Sequence, residues 1–123
     1  MLLPPGMREN EITKYPMLIN LYTGPGSQVV KNNFLINFGY YLVTNKNIIY
    51  TLIDGRGSGF QGDRMLFEIY RRLGTVEIED QLIVAAKLTK VFKFIDPKRI
   101  ALFGWSYGGE CKKLSPSRRS QQN

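Results

Sequence analysis

Three segments of the chain are nearly continuous in apolar residues, and they punctuate stretches whose apolar positions recur at helical spacing. Met17-Leu18-Ile19-Asn20-Leu21-Tyr22 is the first, Asn47-Ile48-Ile49-Tyr50-Thr51-Leu52-Ile53 the second and Ile100-Ala101-Leu102-Phe103 the third. Runs without polar alternation suit strands covered on both faces, as in a parallel sheet, better than half-exposed ones. Between the first two, Asn32 or Asn33 can cap a helix reaching about Val43, with Phe34, Ile36, Phe38, Tyr41 and Leu42 supplying its apolar faces. After the second, a helix is expected from Arg64 to Leu73, stopped by Gly74 in the left-handed conformation, with Arg71 and Arg72 in its last turn.

The clearest helical period runs from Val76 or Glu77 to about Phe94. Ile78, Leu82, Ala85, Ala86, Thr89 and Phe92 share one face, while Glu79, Asp80, Lys87, Lys90 and Lys93 lie mostly off it. Asp96-Pro97 is expected to break this helix. Strand, helix, strand, helix, strand in order predicts an α/β protein: strands 17–22, 48–53 and 99–103 parallel and adjacent, joined by right-handed crossovers, with helices near 33–43 and 77–94 covering both faces. The sequence contains no internal repeat.

The candidate chemistry follows the third strand. Gly104-Trp105-Ser106-Tyr107-Gly108 matches G-x-S-x-G, with Gly109 after it. In a nucleophile elbow of this form the serine is strained, and the positions two before and two after it approach so closely that a Cβ would clash. Gly104 and Gly108 fill those positions. The plainer reading is a glycine-rich surface turn; the apolar lead-in and Gly109 favour the elbow, and with it an α/β hydrolase pattern. Gly57-Ser58-Gly59-Phe60-Gln61-Gly62 matches G-x-G-x-x-G between a strand and a helix, the arrangement of a dinucleotide loop. A structural glycine-rich connection explains the same letters, so no cofactor is assigned. Asp54, ahead of that loop, fits Asx-type hydrogen bonding better than acid catalysis.

Length and composition narrow the picture further. The chain has 123 residues, one cysteine (Cys111) and no histidine, so an internal disulfide is impossible and a zinc or haem site is not expected. Apolar runs of about five residues fall far short of the roughly 20 that cross a bilayer, and the N-terminus lacks the features of a signal peptide. The net charge of +7 belongs largely to the end of the chain: residues 1–110 carry a net +3, and Lys112, Lys113, Arg118 and Arg119 supply the rest. A basic Ser/Gln tail suits solvated disorder better than a nucleic-acid arm. The expected organisation is an extended lead-in over 1–16, a partial catalytic domain over 17–110 and a disordered tail over 111–123. Glu110 to Leu114 is too polar to bury a helix face behind the elbow, and Ser115-Pro116 ends it.

Taken together, residues 1 to about 109 resemble the catalytic domain of the dipeptidyl peptidase IV branch of the prolyl oligopeptidase family. The resemblance rests on Leu3-Pro4-Pro5, Lys14-Tyr15-Pro16, Gly24-Pro25-Gly26-Ser27, Asp54-Gly55-Arg56-Gly57-Ser58-Gly59 with Gln61-Gly62-Asp63, Arg72-Leu73-Gly74, Glu79-Asp80-Gln81 and Gly104 to Gly109. It implies a partial α/β hydrolase fold with the Met17 to Tyr22 strand in the middle. It implies, too, a serine peptidase that removes N-terminal dipeptides with proline or alanine in second place. Ser106 matches the nucleophile, Tyr22 the tyrosine whose hydroxyl completes the oxyanion hole, and Tyr107 the oxyanion N–H and a wall of the proline pocket. Trp105 has no assigned role. By resemblance the parent is a cell-surface or secreted protein, with cytoplasmic relatives, and a homodimer at full length.

Inactive channel-associated relatives lack the serine, so Ser106 argues against that subgroup. The departures from the family concern the triad. Its order in this fold is Ser, Asp, His, and no histidine is present here; the β-propeller bearing the clamp for the substrate amino terminus is also outside this chain. Two further readings stay open: a non-catalytic product that associates with a full-length subunit through unpaired strand edges, and a small esterase-like hydrolase that shares only the elbow.

Overall fold

In the computed structural model, described over residues 1–8, 12–22, 24–33, 36–111 and 113, the chain forms three strands and three principal helices. They are β1 (Tyr15–Leu21), α1 (Phe38–Lys46), β2 (Ile49–Leu52), α2 (Asp63–Phe67), α3 (Val76–Val91) and β3 (Ile95–Gly104). The sheet is parallel throughout, in the order β2-β1-β3. β1 is therefore the middle strand, as expected, with Met17 opposite Ile49 on one side and Ile100 on the other.

The continuous apolar runs are explained by a layer on each face. Met17, Ile19 and Leu21 of β1 are buried with Ile49, Ala85, Phe94 and Ile95, and Val84 and Leu88 of α3 pack on that cluster. On the opposite face, Leu18 joins Leu52 and Ile48 against Leu42, Val43 and Tyr50. α3 thus covers one face and α1 the other. Gly39 sets how closely α1 approaches, because a Cβ there would meet the Tyr50 ring at 2.5 Å.

Several boundaries differ from the sequence expectation, each for a local reason. α1 starts at Phe38 rather than near 33, because Asn37 is the residue whose side chain accepts from the Tyr40 N–H. Ile36 is left exposed, and Phe34 lies outside the described residues. α2 stops at Phe67, not Leu73, so Arg71 and Arg72 lie beyond its last turn. Arg71 takes a left-handed φ of 57°, and Gly74 takes one of 78°.

α3 ends at Val91 and β3 begins at Ile95, so Asp96-Pro97 interrupts a strand and not a helix. The register jumps from Tyr15 opposite Ile95 to Met17 opposite Ile100. Four residues, 96–99, stand opposite the single Pro16, and this bulge is held by Asp96 Oδ1 accepting from the Lys98 N–H and by Asp96 Oδ2 bound to Arg99 Nε at 2.7 Å. Proline fits there because a bulge needs no ladder donor. On α3, Ala86 is exposed, whereas Glu77 and Gln81 are buried with Ile78, Leu82 and Ala85. The buried stripe thus keeps Ile78, Leu82 and Ala85 of the face read from the sequence and widens toward Glu77 and Gln81 in place of Ala86.

Candidate active site

β3 delivers its last residue, Gly104, opposite Leu21 of β1, and the chain then reverses into a short helix that begins at Tyr107. Ser106 stands at the reversal with φ of 54°, a left-handed conformation that costs a non-glycine residue about 1 to 3 kcal/mol. Its carbonyl accepts from the Gly109 and Glu110 N–H groups at 2.9 and 3.3 Å, closing the first helical turn. Both flanking glycines are sterically required. A Cβ on Gly104 would run into the Gly108 carbonyl, and one on Gly108 into the Leu21 carbonyl, with Leu21 C at 2.9 Å. The expected clash geometry is therefore present, and the glycine-rich surface-turn reading is displaced.

The Gly108 contact couples the two strands' ends. Tyr22 follows Leu21 directly, its Cα 3.5 Å from the place a Gly108 Cβ would occupy. Its ring stacks on the Trp105 indole, centroids 5.9 Å apart at 26°, and a Cβ on Gly24 would lie 3.6 Å from the Tyr22 hydroxyl. The fold thus brings Tyr22, Trp105 and Ser106 together at the carboxyl ends of β1 and β3. Ser106 itself is exposed.

Tyr107 points its hydroxyl inward, donating to Glu77 Oε1 at 2.6 Å. Burial, followed by the Glu77 carboxylate, pushes the Tyr107 phenol well above its ordinary value. Its backbone lies directly after Ser106.

The loop after Tyr22 is built into the glycine-rich loop. The Gly26 N–H donates to the Gly57 carbonyl and the Gly59 N–H to the Ser27 carbonyl, both at 2.9 Å. Gly59 lies against the Gly26 carbonyl, where no Cβ could fit. Asp54 accepts from the Val29 and Val30 N–H groups at 3.0 and 2.9 Å, so it clamps the loop after Tyr22 instead of forming an Asx turn in its own loop. Arg56 in turn grips Asp80 of α3, with Nη2 2.6 Å from Oδ1. The letters of the dinucleotide motif here serve loop-to-loop contact. Among the described residues, no group of three His, Cys, Asp or Glu side chains is placed to hold a metal ion, and no helix is long and apolar enough to cross a membrane.

Glu77 was missed as a site neighbour by sequence reasoning. In the sequence Glu77 stands only as a possible first residue of the helix; the Gly74-Thr75 turn before it is the available signal, because a carboxylate there can reach back to both N–H groups. Residue 112 and residues 114–123 lie outside the described residues, and the expectation for the tail with them.

Strand, sharp serine turn and helix on a parallel sheet define an α/β hydrolase-type elbow. Residues 35–113 match the model of the prolyl oligopeptidase family, and the chain belongs to that family. It is 50% identical over 107 residues to venom dipeptidyl peptidase 4 of Vespa velutina, covering 85% of this chain and 14% of the relative. It is 45% identical over 115 residues to human prolyl endopeptidase FAP, covering 94% and 15%. The crystal structure of Porphyromonas gingivalis dipeptidyl peptidase 4 superposes with a TM-score of 0.84 at 32% identity, over 92% of this chain and 16% of that one. The chain thus spans about one-seventh of the length of the relatives it matches.

Proposed function

We propose that this chain carries the nucleophile side of a serine-type dipeptidyl peptidase site, which in a complete domain releases N-terminal Xaa-Pro or Xaa-Ala dipeptides from peptides. Ser106 Oγ attacks the carbonyl after the second residue and its proton passes to a histidine; the histidine gives that proton to the leaving amine as the peptide C–N bond breaks, and water then hydrolyses the acyl-enzyme, releasing the dipeptide and regenerating the Ser106 hydroxyl. The developing oxyanion takes two donors: the Tyr107 backbone N–H and the Tyr22 hydroxyl. The observation that carries this reading is the seating of the Gly108 backbone against Leu21, which leaves Tyr22 beside the strained Ser106. The names of the relatives support the substrate class.

This chain by itself is expected to be inactive, since it contains no histidine to accept the Ser106 proton. Loss of a triad member costs on the order of 10⁴ to 10⁶ in kcat. The test is a catalytic domain completed with the downstream Asp and His. Tyr22→Phe in it should lower kcat for a Gly-Pro amide by about 10² to 10³ with little change in KM, because the donor acts mainly in the transition state. Ser106→Ala should abolish turnover, and an unchanged kcat in Tyr22→Phe would assign the oxyanion to another donor.

A second reading is an inactive partner that associates with a full-length subunit. It is favoured by β3, a ten-residue strand that among the described residues pairs with β1 alone and exposes Ala101 and Phe103.

A further inference from the structure

Glu77 has no solvent exposure at all. A carboxylate fully withdrawn from water costs several kcal/mol unless its oxygens are taken up by donors. Three donors converge on this one: the Gly74 N–H at 2.5 Å and the Tyr107 hydroxyl at 2.6 Å on Oε1, and the Thr75 N–H at 3.0 Å on Oε2. The first two backbone bonds cap α3, a duty left to Glu77 because the Thr75 hydroxyl is turned to the Arg72 carbonyl. Capping alone accounts for neither the burial nor the third bond, which reaches 30 residues along the chain to the neighbour of Ser106.

That third bond falls where restraint is needed. Ser106 is held at a left-handed φ, and a strained residue keeps its conformation only when its surroundings over-determine it. On one side the Gly108 backbone is wedged against Leu21; on the other the Tyr107 ring is tied to the start of α3. The elbow is thereby fixed to β1 and to α3 at successive positions of its first helical turn.

We propose that Glu77 is a positioning residue for acyl transfer: by accepting the Tyr107 hydroxyl it orients both the Ser106–Tyr107 peptide N–H and the ring beside the second-residue pocket. This rests on the dipeptidyl peptidase reading above. Tyr107→Phe breaks the tie while leaving both capping bonds of Glu77 in place, so it separates positioning from helix stability; Glu77→Gln probes the same tie from the other end.

In this chain, NMR of ¹³C-labelled tyrosine, with Tyr107→Phe assigning the signal, is expected to show the Tyr107 phenol titrating above the exposed tyrosines. Glu77→Gln is expected to bring it back toward them. A Tyr107 signal indifferent to Glu77→Gln overturns the proposal at the contact. In the completed domain, Tyr107→Phe is expected to lower kcat about tenfold, the order of loss that small misplacement of reacting groups brings, and to narrow the preference for Gly-Pro over Gly-Ala amides. Adding Glu77→Gln to Tyr107→Phe should cost little more, since both remove one tie. Wild-type kcat and preference in Tyr107→Phe, or losses that multiply in the double variant, overturn the role. A completed domain that turns over neither amide, while the NMR contact persists, sinks the peptidase reading and the role together but leaves the contact standing, so the two failures are told apart.

Discussion

The seating of the elbow on β1 can be tested by one methyl group. Gly108→Ala would place a Cβ inside the Leu21 carbonyl oxygen and 2.9 Å from Leu21 C. Carbon atoms rest about 3.5 to 4.0 Å apart, and both neighbours are backbone atoms that cannot rotate away. The ends of β1 and β3 must therefore part by about 1 Å, at the last rung of their ladder, Leu21 opposite Gly104. Overpacking of this kind costs about 1 to 3 kcal/mol and the strained rung about 1 kcal/mol more. Alanine in a helical turn returns about 0.5 to 1 kcal/mol, leaving a net loss of about 1 to 3.5 kcal/mol. Gly109→Ala is the internal control: its Cβ would meet only the Gly104 carbonyl, at 3.6 Å, an ordinary contact. It should be neutral or slightly stabilising. Urea unfolding followed by Trp105, the single tryptophan, reads the effect at the site itself, because its indole stacks on Tyr22. Unfolding free energies for the two variants within about 0.5 kcal/mol of each other would refute the close-approach geometry.

Two other outcomes follow from the same contacts. Burial raises the Asp80 carboxyl, but its bonds from the Arg56 side chain and N–H outweigh that and hold it below its ordinary value of 3.8. The folded value being depressed, its stabilisation is complete above pH 3.8 and is lost as pH falls through the folded value. Asp80→Asn should thus cost about 1 to 2 kcal/mol at pH 7, and that difference should shrink in acid; a gap independent of pH would exclude the ion pair as its cause. The side of β3 that has no strand partner among the described residues predicts self-association at high concentration, with Phe103→Lys lowering the weight-average mass in sedimentation, since charge on an exposed strand discourages edge pairing. Identical sedimentation of the two chains would remove the edge as the contact.

The parts legible in the sequence were those where one physical cause dominates. Met17 to Tyr22 is apolar on both faces and became the middle strand; the spacing of Gly104, Ser106 and Gly108 required an elbow and produced one. Boundaries went astray where two causes competed. Asn37 and Asn33 are both good caps, and the choice fell to the segment that brings Gly39 against Tyr50. Pro97 stops helices, yet the helix had already ended at Val91 and the proline fell into a bulge. Glu77 was invisible for a different reason. Its burial depends on a hydroxyl 30 positions away, and no local period encodes such a partner.

The two halves of this site do not hang from the fold with equal firmness. Tyr22 follows a strand paired on both flanks, whereas Ser106 lies just past one that among the described residues is paired on one. On the proposed reading Tyr22 is the better anchored of the two, and the setting of Ser106 leans on the seating of Gly108 against Leu21 and on the Tyr107–Glu77 bond. A change that loosened β3 from β1 would then shift the serine relative to Tyr22 while leaving both side chains intact.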